Sequence, residues 1–226
     1  LGDVYKRQIL DYPKLGCINV HASLLPKLRG GAPIHKAIID GYTKTGITIM
    51  YMDKKMDNGD IISTSETEIL DSDNLESLHD RLSIMGRDLL LKTLPSIIEG
   101  TNKRIKQNED EVTYAYNIKR EEEHINLNKT RREVFNQIRG LSPVPGANLL
   151  IDGEEFKIYG SEISERKFTN KEIGEVTGLY KEGIGVMTLD GEIILTDIKP
   201  FGKKRMSASS YINGLHDNSL VGKVLS

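Results

Sequence analysis

The apolar positions Leu75, Leu78, Leu82, Met85, Leu89, Leu90, Leu94, Ile97 and Ile98 recur at helical spacing and Gly100 ends the run, which predicts one long amphipathic helix. Upstream the period changes. Residues 16 to 21, Gly-Cys-Ile-Asn-Val-His, read as a short buried strand that runs into the Pro- and Gly-bearing stretch Leu25 to Gly31. A short helix is predicted from Ile34 to about Asp40, with Gly41 as its stop. Thr45 to Met52 alternates β-branched and apolar residues as a strand does, and Ile61 to Thr64 reads as its partner across the turn residues Asp57-Asn58-Gly59-Asp60.

The second half has another character. Thr130 with Glu133 forms a capping box for a helix over Arg131 to Arg139, and Gly140 stops it. Short apolar segments such as Phe156 to Tyr159 and Glu192 to Leu195 then alternate with the turn dipeptides Asp152-Gly153 and Asp190-Gly191. Roughly five strands and a closing helix near Ala208 to Leu215 predict a small barrel of the oligonucleotide-binding (OB-like) type. The pattern therefore divides the chain into a partial α/β domain over 1–100, a polar linker over 101–118 and a β-rich domain over 119–226. The first segment reads as the tail of a layered α/β domain whose leading strands are missing.

Composition narrows the class without naming a function. The 226 residues are 38% hydrophobic and 28% charged, which excludes disordered, collagenous and coiled-coil chains. No apolar run approaches the ~18 residues of a membrane helix, so no membrane partner is expected. A single cysteine, Cys17, can form neither an internal disulfide nor a thiolate metal site, which points to a reducing, cytoplasmic setting. The net charge of −2 gives no bulk reason to expect nucleic acid, so any such partner rests on local clusters. Residues Leu1 to Gln8 lack an initiator Met and any targeting pattern; they read as an internal start, non-native in origin, and carry no function here.

Candidate chemistry concentrates where the first strand ends, the place where open α/β sheets hold their ligands. Asn19 and His21 lie two apart on that strand and so face one side. An amide donor beside an imidazole suits acyl chemistry, the amide stabilising an oxyanion and the imidazole moving a proton. The plain alternative is a strand-end Asn bonding backbone beside a solvated His. Asp53, Asp57 and Asp60 crowd one turn, yet a calcium loop aligned on Gly59 would put Lys54 and Met56 on ligand positions, so a solvated turn is the competing reading and no metal is expected. The remaining histidines, His35, His79, His124 and His216, are scattered on polar segments and read as surface residues.

Asn19-Val20-His21-Ala22-Ser23-Leu24-Leu25-Pro26, Arg29 to Ile34, Thr45 to Met50 and Met56-Asp57-Asn58-Gly59-Asp60 together resemble the folate-dependent formyltransferases. The segments Arg29 to Ile34, Gln137 to Ala147 and Gly202 to Met206 are similar to the branch that acts on methionyl-tRNA rather than on glycinamide ribonucleotide. The resemblance covers residues 9 to 226. It implies a Rossmann-like catalytic domain, 10-formyltetrahydrofolate as co-substrate and initiator methionyl-tRNA as acceptor. It also implies a catalytic triad of Asn19, His21 and Asp57, and a folate-contacting loop of Ser23, Leu24, Leu25 and Pro26.

Two basic clusters gain meaning from that resemblance. Arg131, Arg132 and Arg139 on the predicted helix, and Lys203, Lys204 and Arg205 near the end, read as phosphate contacts to the tRNA on a barrel suited to RNA. A monomer is expected. Because roughly the first third of a complete family member is absent, the chain as it stands is expected to be inactive. The competing readings are a formyltransferase acting on a sugar nucleotide, which shares the Asn, His and Asp pattern, and a non-catalytic RNA-binding fragment.

Overall fold

A computed structural model describes residues 10, 12–215 and 218–226; the opening residues 1–8 and His216 lie outside them. The chain forms two compact units, residues 1–37 with 42–117 and residues 38–41 with 118–226.

The first unit is built on the sheet β1 (Ile18–His21), β2 (Lys44–Tyr51) and β3 (Ile61–Glu68), paired antiparallel in that order. The parallel ladder of a doubly wound sheet is not found among these described strands. Strand β2 is central, and Thr45 to Met50 are buried without a break, as a strand covered on both faces requires. Strand β3 runs four residues beyond the predicted Thr64, because its outer positions alternate between half-buried and exposed and carry Glu66 and Glu68 in place of an apolar signal.

The predicted long helix is present over Leu75–Ile98. Asn74 and Ser77 close a reciprocal capping box at its start. Leu78, Leu82, Gly86, Thr93 and Ile97 form the buried stripe, whereas Ile84, Leu91 and Ile98 stand exposed. Just ahead of the cap, Asp73 is buried. It accepts two hydrogen bonds from the Arg81 guanidinium, at 2.9 and 2.6 Å, and one from the Leu70 N–H at 2.8 Å.

Of residues 101–118, predicted as a linker from their polarity, 101–117 are stitched to this first unit. Ile105 and Ile61 exchange backbone hydrogen bonds, Arg29 N–H donates to the Thr113 carbonyl, and Ala115 N–H donates to the Arg29 carbonyl. Polar side chains outside and backbone pairing inside look like a linker in composition alone.

In the second unit, Thr130 and Glu133 cap the helix Arg131–Gly140 as predicted. The strands β4 (Ala147–Ile151), β5 (Glu154–Ile163), β6 (Val176–Leu179), β7 (Ile184–Met187), β8 (Glu192–Lys199) and β9 (Met206–Ser207) form one antiparallel sheet. Its order is β4-β5-β8-β7-β6, with β9 added on β8. The closing helix is Ala208–Asn213, two residues shorter than predicted. Val134 and Ile138 of the first helix pack with Leu149, Ile158, Val186 and Ile193 in one core. The end of the chain ties the two outer strands together: Ser226 and Leu150 of β4 exchange backbone bonds, while Val176 N–H donates to the Lys223 carbonyl and Leu225 N–H to that of Gly174.

The Asp73–Arg81 pair carries a prediction. Burial works to raise the Asp73 carboxyl, but the Arg81 bonds, the Leu70 N–H and Ser77 outweigh it and hold the group below the usual carboxylate range. A lowered folded value means the stabilisation is complete above the unfolded value of about 3.9 and is lost as pH falls through the folded one. Asp73→Ala is expected to destabilise the protein by about 2–3 kcal/mol at pH 7. Urea unfolding across a pH series checks this, the gap from the parent protein closing on the acid side.

Candidate active site

Strand β1 ends at the site. Pairing with β2 sets Asn19 opposite Met50 and His21 opposite Thr48, which leaves Asn19 half-buried and His21 buried on the same side of the strand. His21 Nε2 lies 3.0 Å from the Leu28 carbonyl oxygen. A carbonyl only accepts, so this contact puts a proton on Nε2 and leaves Nδ1 as the nitrogen that can take up or release one. Nδ1 faces the Asp57 carboxylate at 3.8 Å, longer than a hydrogen bond and within ion-pair range.

Asp57 occupies the turn between β2 and β3 with φ of +51°, an uncommon conformation for a residue with a side chain. Its Oδ2 accepts the Gly30 N–H at 2.8 Å. Two glycines allow the close approaches around it. At Gly59 a Cβ would lie 1.8 Å from the Tyr51 carbonyl oxygen, and at Gly30 one would lie 2.5 Å from that of Ala115. The neighbouring aspartates take other partners. Asp53 accepts from Lys54 N–H and Asn58, and Asp60 pairs with Arg104 at 3.0 Å. The three carboxylates therefore do not act as a cluster. Of the other described histidines, His79 and His124 are exposed and His35 is half-buried.

The loop after β1 is held from within. The Thr48 hydroxyl donates to the Ser23 carbonyl at 2.7 Å and accepts from the Leu25 N–H at 3.1 Å, and the Ser23 hydroxyl donates to the Lys27 carbonyl. Ser23 and Leu25 are buried, while Leu24 and Pro26 remain half-buried. Arg29, Thr113 and Gln107 also hold this region; the sequence reading met Arg29 only as the start of a motif and passed over the other two. Arg29 is 2% exposed, and its guanidinium bonds to Gln107 and Glu109. The Arg29-Gly30-Gly31 motif marked the loop, but nothing local in 101–118 signals a partner so far away in sequence.

The basic residues of the second unit divide by environment. Arg139 is buried and donates to Asn136, and Arg131 donates to the Ser164 carbonyl and pairs with Asp190, so both serve their own unit. Arg132, Lys203, Lys204 and Arg205 are exposed. Arg205 pairs with Asp197 through two nitrogens, and Lys203 Nζ lies 5.2 Å from the Tyr211 ring centre.

The chain belongs to the formyl transferase family: residues 3–94 match the family's formyl transferase domain and residues 117–216 its C-terminal domain. Among its relatives is the methionyl-tRNA formyltransferase of Staphylococcus aureus strain MW2, 53% identical over 225 residues, which span 99% of this chain and 72% of that protein. The same enzyme of strain JH1 is 52% identical over the same share. A solved N-formyltransferase from Helicobacter canadensis, in complex with folinic acid and dTDP-3-aminofucose, superposes with a TM-score of 0.63 at 28% identity, covering 79% of this chain and 65% of that one. HypX from Aquifex aeolicus, in complex with tetrahydrofolic acid, shares the fold at a TM-score of 0.66 and 19% identity, over 87% of this chain and 34% of that one.

Replacing Gly59 tests the packing of the site. Gly59→Ala sets a methyl against the Tyr51 carbonyl in a part-buried turn, and a loss of about 2–4 kcal/mol is expected. Chemical denaturation of the variant beside the parent protein measures it.

Proposed function

We propose that this protein transfers the formyl group of 10-formyltetrahydrofolate to the α-amine of initiator methionyl-tRNA, acting as a cytoplasmic monomer. The observation that carries this reading is the His21–Asp57 pair at 3.8 Å, on the same strand end as Asn19. The Asn19 amide donates to the formyl oxygen as the carbon becomes tetrahedral, where negative charge develops. The amine attacks in its neutral form, and His21 Nδ1 is aimed to accept its proton while Asp57 stabilises the imidazolium. The bond to the amine forms first; as the tetrahedral carbon collapses, its bond to the folate nitrogen breaks and that nitrogen takes the proton back from His21.

The Ser23–Pro26 loop fits a flat co-substrate. Thr48 ties its backbone down, so Leu24 and Pro26 can present a preformed apolar edge to a pteridine ring. In fold terms we read the first unit as Rossmann-like, in keeping with a site at a strand end. The second reads as OB-like, since the tail residues Val176 and Leu150 hold onto link its outer strands. Its exposed Arg132, Lys203 and Lys204 supply phosphate contacts, with Arg205 beside them. Among the described residues, no helix is long and apolar enough to cross a membrane.

Asn19→Ala and His21→Ala are each expected to lower kcat for formylation by about 10²–10³, with little change in tRNA affinity. Asp57→Asn should lower it as well, by removing the charge that stabilises the His21 imidazolium. Steady-state assays with methionyl-tRNA, run beside an amino sugar nucleotide as competing acceptor, decide the reading; preference for the sugar would transfer the chain to the other branch.

Neutralising Lys203 and Lys204 together is expected to weaken tRNA binding and flatten its salt dependence by up to about one unit of slope per lost phosphate contact, leaving folate binding unchanged. Filter binding across a salt series measures it, and an unaltered slope would make the cluster a solvated face.

A further inference from the structure

Three consecutive residues reach both halves of the His21–Asp57 pair. The Leu28 carbonyl holds the imidazole, and the Gly30 N–H holds the carboxylate. The side chain between them, Arg29, points to a third group. Its Nε and one terminal nitrogen donate to Gln107 Oε1 at 3.0 and 2.9 Å, and Glu109 accepts at 3.0 Å to balance the charge. A guanidinium only donates, so the Gln107 oxygen is turned to Arg29 and its NH2 group away from it. That NH2 group donates to the carbonyls of Asp57 and Gly59, each at 2.8 Å. Both of its hydrogens are used on the turn that carries the carboxylate.

We propose that Gln107 is a positioning residue for formyl transfer: anchored by Arg29, it clamps the backbone of the Asp57 turn and so sets the carboxylate against His21 Nδ1. The proposal rests on the reading of Asp57 given above. Asp57 holds a left-handed conformation that a free turn would relax from, and the clamp opposes that relaxation at the residue itself. An ångström of drift at a catalytic group is enough to lose most of its effect. The polar stretch 101–117 thus contributes to the site through Gln107, without touching substrate.

The test uses the protein with Gln107→Ala, and with Gln107→Glu, which keeps an acceptor for Arg29 but faces the two carbonyls with an oxygen. In both, hydrogen exchange at the Gly30 amide should speed up about tenfold or more while the β2 amides of Ile47 and Ile49 stay as they were; this arm needs no turnover. In formylation assays kcat should fall 10- to 100-fold with KM for either substrate within about twofold. Added to Asp57→Asn, the Gln107→Ala change should lower kcat less than about twofold, because its target is already gone. Unchanged Gly30 exchange, or an equal loss in the parent and Asp57→Asn backgrounds, overturns the proposal. A slow Asp57→Asn beside a fast Gln107→Ala would sink the positioning role alone, whereas a fast Asp57→Asn would sink the reading of the site and this inference with it.

Discussion

The site depends on the backbone of Leu28, Arg29 and Gly30. In the sheet and the long helix of the first unit, main-chain groups pair with one another. Here a carbonyl and an N–H two residues apart are diverted to two side chains, an imidazole from β1 and a carboxylate from the β2–β3 turn. Because a carbonyl accepts and an amide donates, the arrangement selects the charge pattern as well as the distance. The imidazole is protonated on its far nitrogen, and the carboxylate faces the near one. Without the loop, His21 and Asp57 lose the backbone partners that set the imidazole against the carboxylate.

Such a loop must itself be held, since backbone diverted to side chains cannot enter a ladder. Leu28 has φ of +59° and Gly30 of +129°, conformations that no helix or strand would supply. Their stability comes from the segment around Thr113. The Leu28 N–H bonds to its hydroxyl, the Arg29 N–H to its carbonyl, and the Arg29 carbonyl to the Ala115 N–H. The buried Arg29 guanidinium is satisfied by Gln107 and Glu109, as a buried charge has to be. Thr48 does similar work on the other side, its hydroxyl fixing both Ser23 and Leu25. Chemistry placed on loops gains precision when each loop borrows rigidity from a neighbour.

The second unit shows the opposite use of charge. Arg131 and Arg139, promising from their place on a basic helix, are consumed by Ser164, Asp190 and Asn136. A helix whose one face is core offers a long cation two fates, and spacing does not say which. Val134, Asn136, Ile138 and Arg139 all lie on buried positions of the helix Arg131–Gly140, so Arg139 follows its face and not its charge. The Gly202 to Arg205 turn has no such core face, and its cations stay on the surface.

Sequence by itself determined whatever depends on neighbours along the chain. The helix Leu75–Ile98 follows from apolar spacing and a closing glycine, the capping box at Thr130 from residue types three apart, and the shared facing of Asn19 and His21 from the two-residue period of a strand. Motif order was enough to point to the formyl transferase family. Tertiary structure decided the rest. It turned His21 Nδ1 toward Asp57 and made Gln107, fifty residues downstream, a partner of the Asp57 turn. It also bound residues 101–117 to the first unit and buried Arg139. The physical reason is that local periodicity encodes which face of an element is apolar, whereas a hydrogen bond between distant loops leaves no periodic trace and exists only once the backbone has closed the distance.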